Sequence, residues 1–136
     1  MILADTSGLL ALFNDREPRH ADVVSALSDV AAPLIVSPYV VAELDYLVST
    51  RIGVTAELAM LRELSGPGYE LAEMGAPLLL AATEVIERYA DQRIGVSDAS
   101  IVALAHKYRT DRVLSLDRRH FDVLRTVDGL PFALLP

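Results

Sequence analysis

The 136-residue chain has no cysteine, no tryptophan, one lysine and three histidines. The absence of cysteine excludes disulfides, thiolate nucleophiles and thiolate zinc sites, and His20, His106 and His120 show no metal-ligand spacing. We therefore expect any metal ion to be held by oxygen ligands. The chain also lacks both an apolar run of the roughly 18 to 20 residues that cross a bilayer and a cationic leader. These absences predict a cytoplasmic protein that does not bind membranes.

The composition is that of a folded domain. Hydrophobic residues make up 52% of the chain and charged residues 23%, and the length suits one domain spanning residues 1–136. The 19 acidic and 12 basic residues give a net charge of -7, which argues against broad, non-specific adhesion to nucleic acid. The charge does not exclude an enzyme that cuts phosphodiesters.

Short apolar segments alternate with amphipathic ones along the chain. We predict strands at Ile2–Ala4, Leu34–Val36, Tyr69–Leu71 and Arg112–Leu116, and an edge strand at Leu130–Leu135. Helices are predicted after Asp5, from Pro18 to about Ala32, from Pro38 to Gly53, from Thr55 to Leu64, from Pro77 to Tyr89 and from Ser97 onwards, with a helical turn at Arg118–Phe121. Leu78–Ala82 is interpreted as core, with a contribution to a dimer surface as the alternative. The alternation predicts an α/β fold of three α/β/α layers around a parallel sheet of four to five strands.

Two acidic residues directly follow predicted strands. Asp5 follows the first strand, and Asp117 follows the fourth. Ligand sites of parallel sheets lie outside the carboxyl ends of the strands, so we expect these two side chains to converge. Either residue could instead cap the helix that follows it. Asp98 stands in the first turn of its helix, where free N–H groups also favour a carboxylate.

The helix that begins at Pro38 carries two further acids, Glu43 and Asp45. Each lies at a similar angle from the apolar stripe, so periodicity does not choose between them. Tyr39 and Tyr46 widen the apolar face on the side of Glu43 and favour that residue. Surface exposure remains an alternative for both acids.

Clustered carboxylates repel one another unless a cation lies among them. Because only hard oxygen ligands are expected, the cation would be Mg²⁺ or Mn²⁺, which lowers the pKa of bound water and neutralises charge on a phosphodiester. Thr6 and Ser115 could orient the carboxylates by hydrogen bonding, although ordinary turn and strand roles suit them equally.

Four motifs in this order resemble those of a PIN domain. They are Asp5-Thr6-Ser7 after the first strand, Glu43 within Val41-Ala42-Glu43-Leu44, Ser97-Asp98-Ala99 opening a helix, and Leu114-Ser115-Leu116-Asp117 before Arg119-His120-Phe121. The resemblance covers essentially the whole chain, and its length and order are similar to VapC toxins of type II VapBC toxin–antitoxin pairs. Where the family often has threonine, this chain has Ser115, which keeps the hydroxyl.

The resemblance implies an endoribonuclease toxin that uses Mg²⁺ or Mn²⁺ to activate water and cuts tRNA or ribosomal RNA. Asp5, Asp98 and Asp117 would hold the metal, and Glu43 would bind through water or orient the nucleophile. Whether Asp91 or Asp45 joins the acidic site stays open. The resemblance also implies a homodimer and a VapB-type antitoxin whose C-terminal segment crosses the active-site groove and brings an arginine.

The chain and RNA both carry net negative charge, so positively charged side chains near the site must attract the RNA. Arg118 and Arg119 follow Asp117 and are candidate phosphate contacts, with solvent-exposed surface roles as the alternative. A receiver-type phosphoacceptor domain does not fit, because the only lysine, Lys107, falls on a predicted helix. The remaining alternative is a catalytically inactive PIN-like module that binds RNA or protein.

Overall fold

The computed structural model describes residues 1–136 and contains one five-stranded sheet. The strands are β1 (Ile2–Ala4), β2 (Leu34–Val36), β3 (Tyr69–Leu71), β4 (Arg112–Leu114) and β5 (Ala133–Leu135). Their order in the sheet is β3-β2-β1-β4-β5, and every pairing is parallel. The predicted parallel sheet is confirmed, with five strands.

Helices connect the strands on both faces of the sheet. They are α1 (Thr6–Phe13), α2 (His20–Leu27), α3 (Pro38–Arg51), α4 (Val54–Leu64), α5 (Ala76–Arg88), α6 (Gly95–Tyr108) and α7 (Arg118–Phe121), with a 3₁₀ turn at Ala90–Gln92. The crossovers from β1 to β2 and from β2 to β3 run in one direction, and the connection from β3 to β4 runs back. Right-handed crossovers therefore put α1–α4 on one face and α5–α6 on the other. This arrangement is the predicted three-layer α/β/α fold, and it explains why β1 and β2 are buried along their whole length.

Gly8 lets the first helix lie directly against the sheet. A Cβ atom built at Gly8 would lie 2.5 Å from the carbonyl oxygen of Leu114 in β4. Only glycine fits this approach without displacing backbone. The first turn of α1, which follows Asp5, is thereby held against the end of β4.

Three predicted boundaries are wrong, for local reasons. Strand β4 ends at Leu114 rather than Leu116, because the N–H of Leu116 donates to the Ser7 hydroxyl and not to a neighbouring strand. Strand β5 begins at Ala133 rather than Leu130, because a turn closes between Thr126 and Leu130 before the strand starts. The second helix is shorter than predicted, since turns occupy the residues before and after it.

Two further sequence interpretations need correction. Helix α6 begins at Gly95, so the loop predicted there is its first turn. Leu79 and Leu80 on α5 were expected in the core but are 43% and 62% exposed, because α5 packs on α6 through its opposite side. Each helix is also too short or too polar to cross a bilayer.

Candidate active site

The acidic residues meet where the direction of the sheet connections reverses. Strands β1 and β4 are neighbours, yet the chain leaves β1 towards one edge and β4 towards the other. A crevice forms at the carboxyl ends of strands at such a point. The pocket there has a volume of about 250 Å³. It is lined by Asp5, Thr6, Ser7, Leu10, Glu43, Leu47, Ile94, Asp98, Asp117 and His120.

Two serine hydroxyls hold the carboxylate of Asp5. Ser7 Oγ and Ser115 Oγ each donate to Asp5 Oδ2 at 2.8 Å. Each hydroxyl also accepts a backbone N–H, Ser7 from Leu116 at 2.9 Å and Ser115 from Asp117 at 3.0 Å. Asp5 occupies the N-cap position of α1, but its side chain makes no capping hydrogen bond. The capping alternative is therefore wrong for Asp5, and the network ties β1 to the segment after β4.

Asp5 lies deep in the pocket and is 4% exposed. Burial raises its pKa above the ordinary value, while the hydroxyls of Ser7 and Ser115 act in the opposite direction and the charge of Asp117 adds to the rise. Two hydroxyl donors compensate part of the lost hydration of this buried carboxylate. The remaining unfavourable energy would be relieved by a cation.

Asp98 enters the pocket from the first turn of α6. The helix is buried from Ser97 to Ala105, which fixes the position of the carboxylate. Burial and then the negative charge of Asp5 raise the pKa of Asp98 to about 7, although the neighbouring His120 acts in the opposite direction. The charged form of Asp98 is thus disfavoured without a cation, as expected for carboxylates that crowd one another.

Asp117 has both of the roles considered for it. Its Oδ1 accepts the backbone N–H of His120 at 3.3 Å and caps α7, while its Oδ2 faces the pocket, 3.3 Å from His120 Nδ1. The same Nδ1 lies 2.7 Å from Asp98 Oδ2. Oxygen atoms of Asp98 and Asp117 and a ring nitrogen of His120 all lie within 4.8 Å of one another. A histidine nitrogen therefore lies among carboxylates where the sequence predicts oxygen ligands alone.

Of the three remaining acids, only one lies at the pocket. Glu43 is exposed and lines the pocket. Asp45 faces α4, where its proximity raises the pKa of Glu57. Asp91 is exposed on the 3₁₀ turn and is bound by the side chain of Gln92, outside the pocket. Tyr46 was expected to widen the buried face of α3 on the side of Glu43, but it is 67% exposed, so this argument for Glu43 is wrong.

The two predicted hydrogen-bonding residues behave differently. Ser115 binds Asp5 as described, but the buried hydroxyl of Thr6 has no hydrogen-bond partner, so Thr6 does not orient a carboxylate. Ser7 takes that place. Its position two residues after Asp5 suits a hydroxyl that binds back to a carboxylate, which is the signal in the sequence that could have identified it.

Arg118 and Arg119 are exposed on α7, next to Asp117. Arg118 lies 3.8 Å from Asp122, and both of these side chains are more than half exposed, so this pair contributes little to stability. Neither arginine lines the acidic pocket. Both side chains are free to contact a ligand that extends beyond the pocket.

A larger groove of about 760 Å³ lies at the opposite end of the sheet, between the end of α6 and residues 126–130. It brings Lys107 and Arg109 together with Asp111 and Asp128, so its charges largely cancel. Asp5 and the other clustered carboxylates lie at the far end of the parallel strands. Charge and convergence make the smaller pocket the candidate functional site.

The residues of the pocket fit a divalent cation. Asp5, Asp98 and Asp117 supply hard oxygen atoms, and the buried Nδ1 of His120 has no hydrogen bond of acceptable direction. Buried polar atoms without partners are costly, and carboxylates at this spacing repel. A bound cation would give the histidine nitrogen a partner and would reduce the repulsion between the carboxylates.

Comparison with known proteins agrees with this arrangement. Residues 2–126 match the PIN domain family. The chain is 53% identical over 135 residues to ribonuclease VapC26 of Mycobacterium tuberculosis, an alignment that covers 99% of this chain and 100% of that protein. The chain therefore belongs to the PIN-domain family and, within it, to the VapC ribonucleases.

Solved structures share the fold. The crystal structure of M. tuberculosis VapC20, described as a sarcin-ricin loop cleaving toxin, aligns with a TM-score of 0.79 and 23% identity over 86% of this chain and 90% of that one. VapBC2 of Rickettsia felis, bound to a DNA fragment from its promoter, aligns over the full length of both chains with a TM-score of 0.69 and 17% identity. FitAcB of Neisseria gonorrhoeae aligns over 98% of this chain and 97% of that one, with a TM-score of 0.68 and 22% identity.

Proposed function

We propose that residues 1–136 form one PIN domain that acts as a divalent-metal-dependent endoribonuclease, the toxin of a toxin–antitoxin pair. One observation carries the proposal: Asp5, Glu43, Asp98 and Asp117 come from four separate segments and line one pocket. A cytoplasmic location follows from the proposed substrate, cellular RNA.

Asp5, Asp98 and Asp117 would hold Mg²⁺ or Mn²⁺. When bound, the ion supplies Lewis-acid activation of water and of the phosphodiester. Ser7 and Ser115 keep the Asp5 carboxylate in one orientation, which limits the reorganisation needed when the ion enters. Glu43 is more exposed than the aspartates, which suits a residue that orients the attacking water from the solvent side.

Arg118 and Arg119 are proposed as phosphate contacts beside the pocket. They lie on the same short helix as His120 but point outward into solvent. An RNA strand with one phosphate in the pocket could place its next phosphates against α7. Phosphate contacts of this kind position RNA without reading its sequence, so tRNA and ribosomal RNA both remain candidate substrates.

A VapB-type antitoxin is the proposed partner. An apolar groove of about 200 Å³ lies between α1, α3 and α4. Leu10 lines both this groove and the acidic pocket, so the two are neighbours on the surface. A peptide with an apolar helical face followed by an arginine would fill the groove and neutralise the pocket.

We also propose a homodimer. Leu79 and Leu80 stand next to each other and exposed on α5. A second copy of the chain would remove this apolar surface from water. Light scattering of the wild type and of Leu80→Glu tests the proposal. We expect a dimer for the wild type and a monomer for the variant, and a monomeric wild type at micromolar concentration would contradict it.

Cleavage assays test the proposed activity. Purified protein is incubated with tRNA and with a stem-loop RNA, with Mg²⁺ or Mn²⁺ and then with EDTA. We expect discrete fragments only with metal. Asp5→Asn and Asp98→Asn should abolish cleavage, whereas Asp45→Asn and Asp91→Asn, which alter acids outside the pocket, should cleave like wild type. RNA binding without cleavage under any metal would instead favour the inactive binding module.

A further inference from the structure

His120 is the one nitrogen donor in the acidic pocket. It follows the exposed Arg118 and Arg119 on α7, but its own side chain is only 13% exposed. Its Nδ1 lies 2.7 Å from Asp98 Oδ2 and 3.3 Å from Asp117 Oδ2. The ring thus stands between two of the carboxylates that are proposed above to hold the cation.

These separations match the edges of a coordination shell. An octahedral ion with ligand distances of about 2.1 Å holds neighbouring donor atoms about 3.0 Å apart. The two N···O distances, 2.7 and 3.3 Å, lie on either side of that value. A charged histidine that served only to neutralise the acids would direct its N–H at one oxygen. Here Nδ1 is buried and close to both oxygens, and its direction suits a hydrogen bond to neither one, although its nearness to Asp98 lowers the pKa of that carboxyl.

The backbone around His120 fixes the ring in this place. The N–H of His120 donates to Asp117 Oδ1, which closes the first turn of α7. The next residue, Phe121, is 1% exposed and packs edge-on against Phe132 with ring centroids 5.8 Å apart. A ligand held on such an anchored turn needs little ordering when an ion binds.

We propose that His120 Nδ1 is a ligand of the catalytic cation, alongside Asp98 and Asp117, and that it biases the site towards later first-row ions over Mg²⁺. This inference rests on the proposed metal-dependent function. Imidazole nitrogen binds Co²⁺ and, less strongly, Mn²⁺ in preference to Mg²⁺, which favours oxygen. The neutral ring would carry its proton on Nε2, leaving the Nδ1 lone pair for the ion.

The test compares metal affinities of the full-length, metal-free protein by calorimetry. Mg²⁺, Mn²⁺ and Co²⁺ are each titrated into wild type, His120→Asn and His106→Asn. Asparagine offers an amide oxygen near the position of Nδ1, so the variant exchanges nitrogen for oxygen with little change of shape. His106 is exposed at the other end of α6, and its variant controls for loss of an imidazole elsewhere.

We expect His120→Asn to weaken Co²⁺ binding by about ten- to a hundredfold and Mn²⁺ binding by a smaller factor, with Mg²⁺ changed less than about threefold. His106→Asn should bind all three ions like wild type. Equal losses for the three ions, or no loss, would overturn the inference about His120. Failure of the wild type to bind any of the ions would instead overturn the metal-dependent function itself.

A spectroscopic measurement on the wild type does not depend on whether the variant folds. Pulsed electron paramagnetic resonance of Mn²⁺ bound to the protein detects a directly coordinated ¹⁴N nucleus. We expect a nitrogen coupling in wild type and in His106→Asn, and its loss in His120→Asn. A Mn²⁺-loaded wild type without nitrogen coupling would show that His120 only balances charge.

Discussion

The crowding of Asp98 makes a prediction about stability that is independent of RNA cleavage. Replacing Asp98 by asparagine removes a charge that is buried next to Asp5 and keeps nearly the same shape. In the absence of divalent ions, we expect Asp98→Asn to be more stable than wild type at pH 7.5. The reason is that the charged form of Asp98 is disfavoured by burial and by the neighbouring carboxylate.

The size and sign of this difference in stability follow from the pKa of Asp98. A rise from 3.8 to about 7 on folding means that the folded state binds the proton more tightly than the unfolded state. The penalty is therefore absent below about pH 4, grows as the pH rises towards 7 and is constant above it. The upper limit of this penalty is about 4 kcal/mol, because each tenfold change in the acid dissociation constant corresponds to about 1.36 kcal/mol. We expect about 1 to 2 kcal/mol, because water screens the pocket and the substitution removes a carboxylate partner of His120.

Urea unfolding in EDTA at pH 7.5 and pH 4.5 measures the effect. The advantage of Asp98→Asn should be present at pH 7.5 and small at pH 4.5, while Asp91→Asn, an exposed acid, should match wild type at both values. With saturating Mn²⁺ the order should reverse, because the ion stabilises only the chain that binds it. A variant less stable than wild type by 1 kcal/mol or more in EDTA at pH 7.5 would refute the reasoning.

Four other substitutions have distinct expected outcomes. Gly8→Ala should lower the free energy of unfolding by about 1 to 3 kcal/mol, since its Cβ would meet the Leu114 carbonyl; unchanged urea midpoints would contradict this. Ser7→Ala should reduce cleavage, because it removes a hydrogen bond to the Asp5 carboxylate. Thr6→Val should leave the free energy of unfolding unchanged or higher, because the Thr6 hydroxyl has no hydrogen-bond partner. Equal effects of the two substitutions on cleavage and on stability would argue against the hydrogen-bond network around Asp5. Arg119→Gln should weaken RNA binding and lower its salt dependence by about one phosphate contact, and an unchanged slope would leave Arg119 without a role in RNA binding.

The sheet was predictable because its strands are short apolar runs between helices. Strands β1, β2 and β3 have the predicted bounds, and the placement of Asp5 and Asp117 at one edge follows from parallel strands alone. The sequence could not show that β1 and β4 are neighbours. That adjacency depends on the order of strands, which depends on interactions between distant segments.

His120 was missed because its nearer partner, Asp98, lies in a different element. Asp98 is on α6, 22 positions earlier in the chain, and no local spacing connects the two residues. One signal was present: His120 is three residues after Asp117, a separation that puts two side chains on the same side of a helical turn. The exposure of Leu79 and Leu80 was missed for a related reason. An apolar helix face has the same sequence pattern whether the chain itself or another copy covers it.

The double use of Asp117 matters for anyone who wants an inactive form of this protein, for instance to capture a bound RNA. One oxygen of this side chain holds the start of α7 and the other faces the proposed metal, so truncation there would disturb the anchoring of His120 and the arginines along with the chemistry. Asp98 closes no such turn through its side chain. An inactive variant is therefore better made at position 98, where charge can be removed while the neighbouring surface that is proposed to contact RNA keeps its shape.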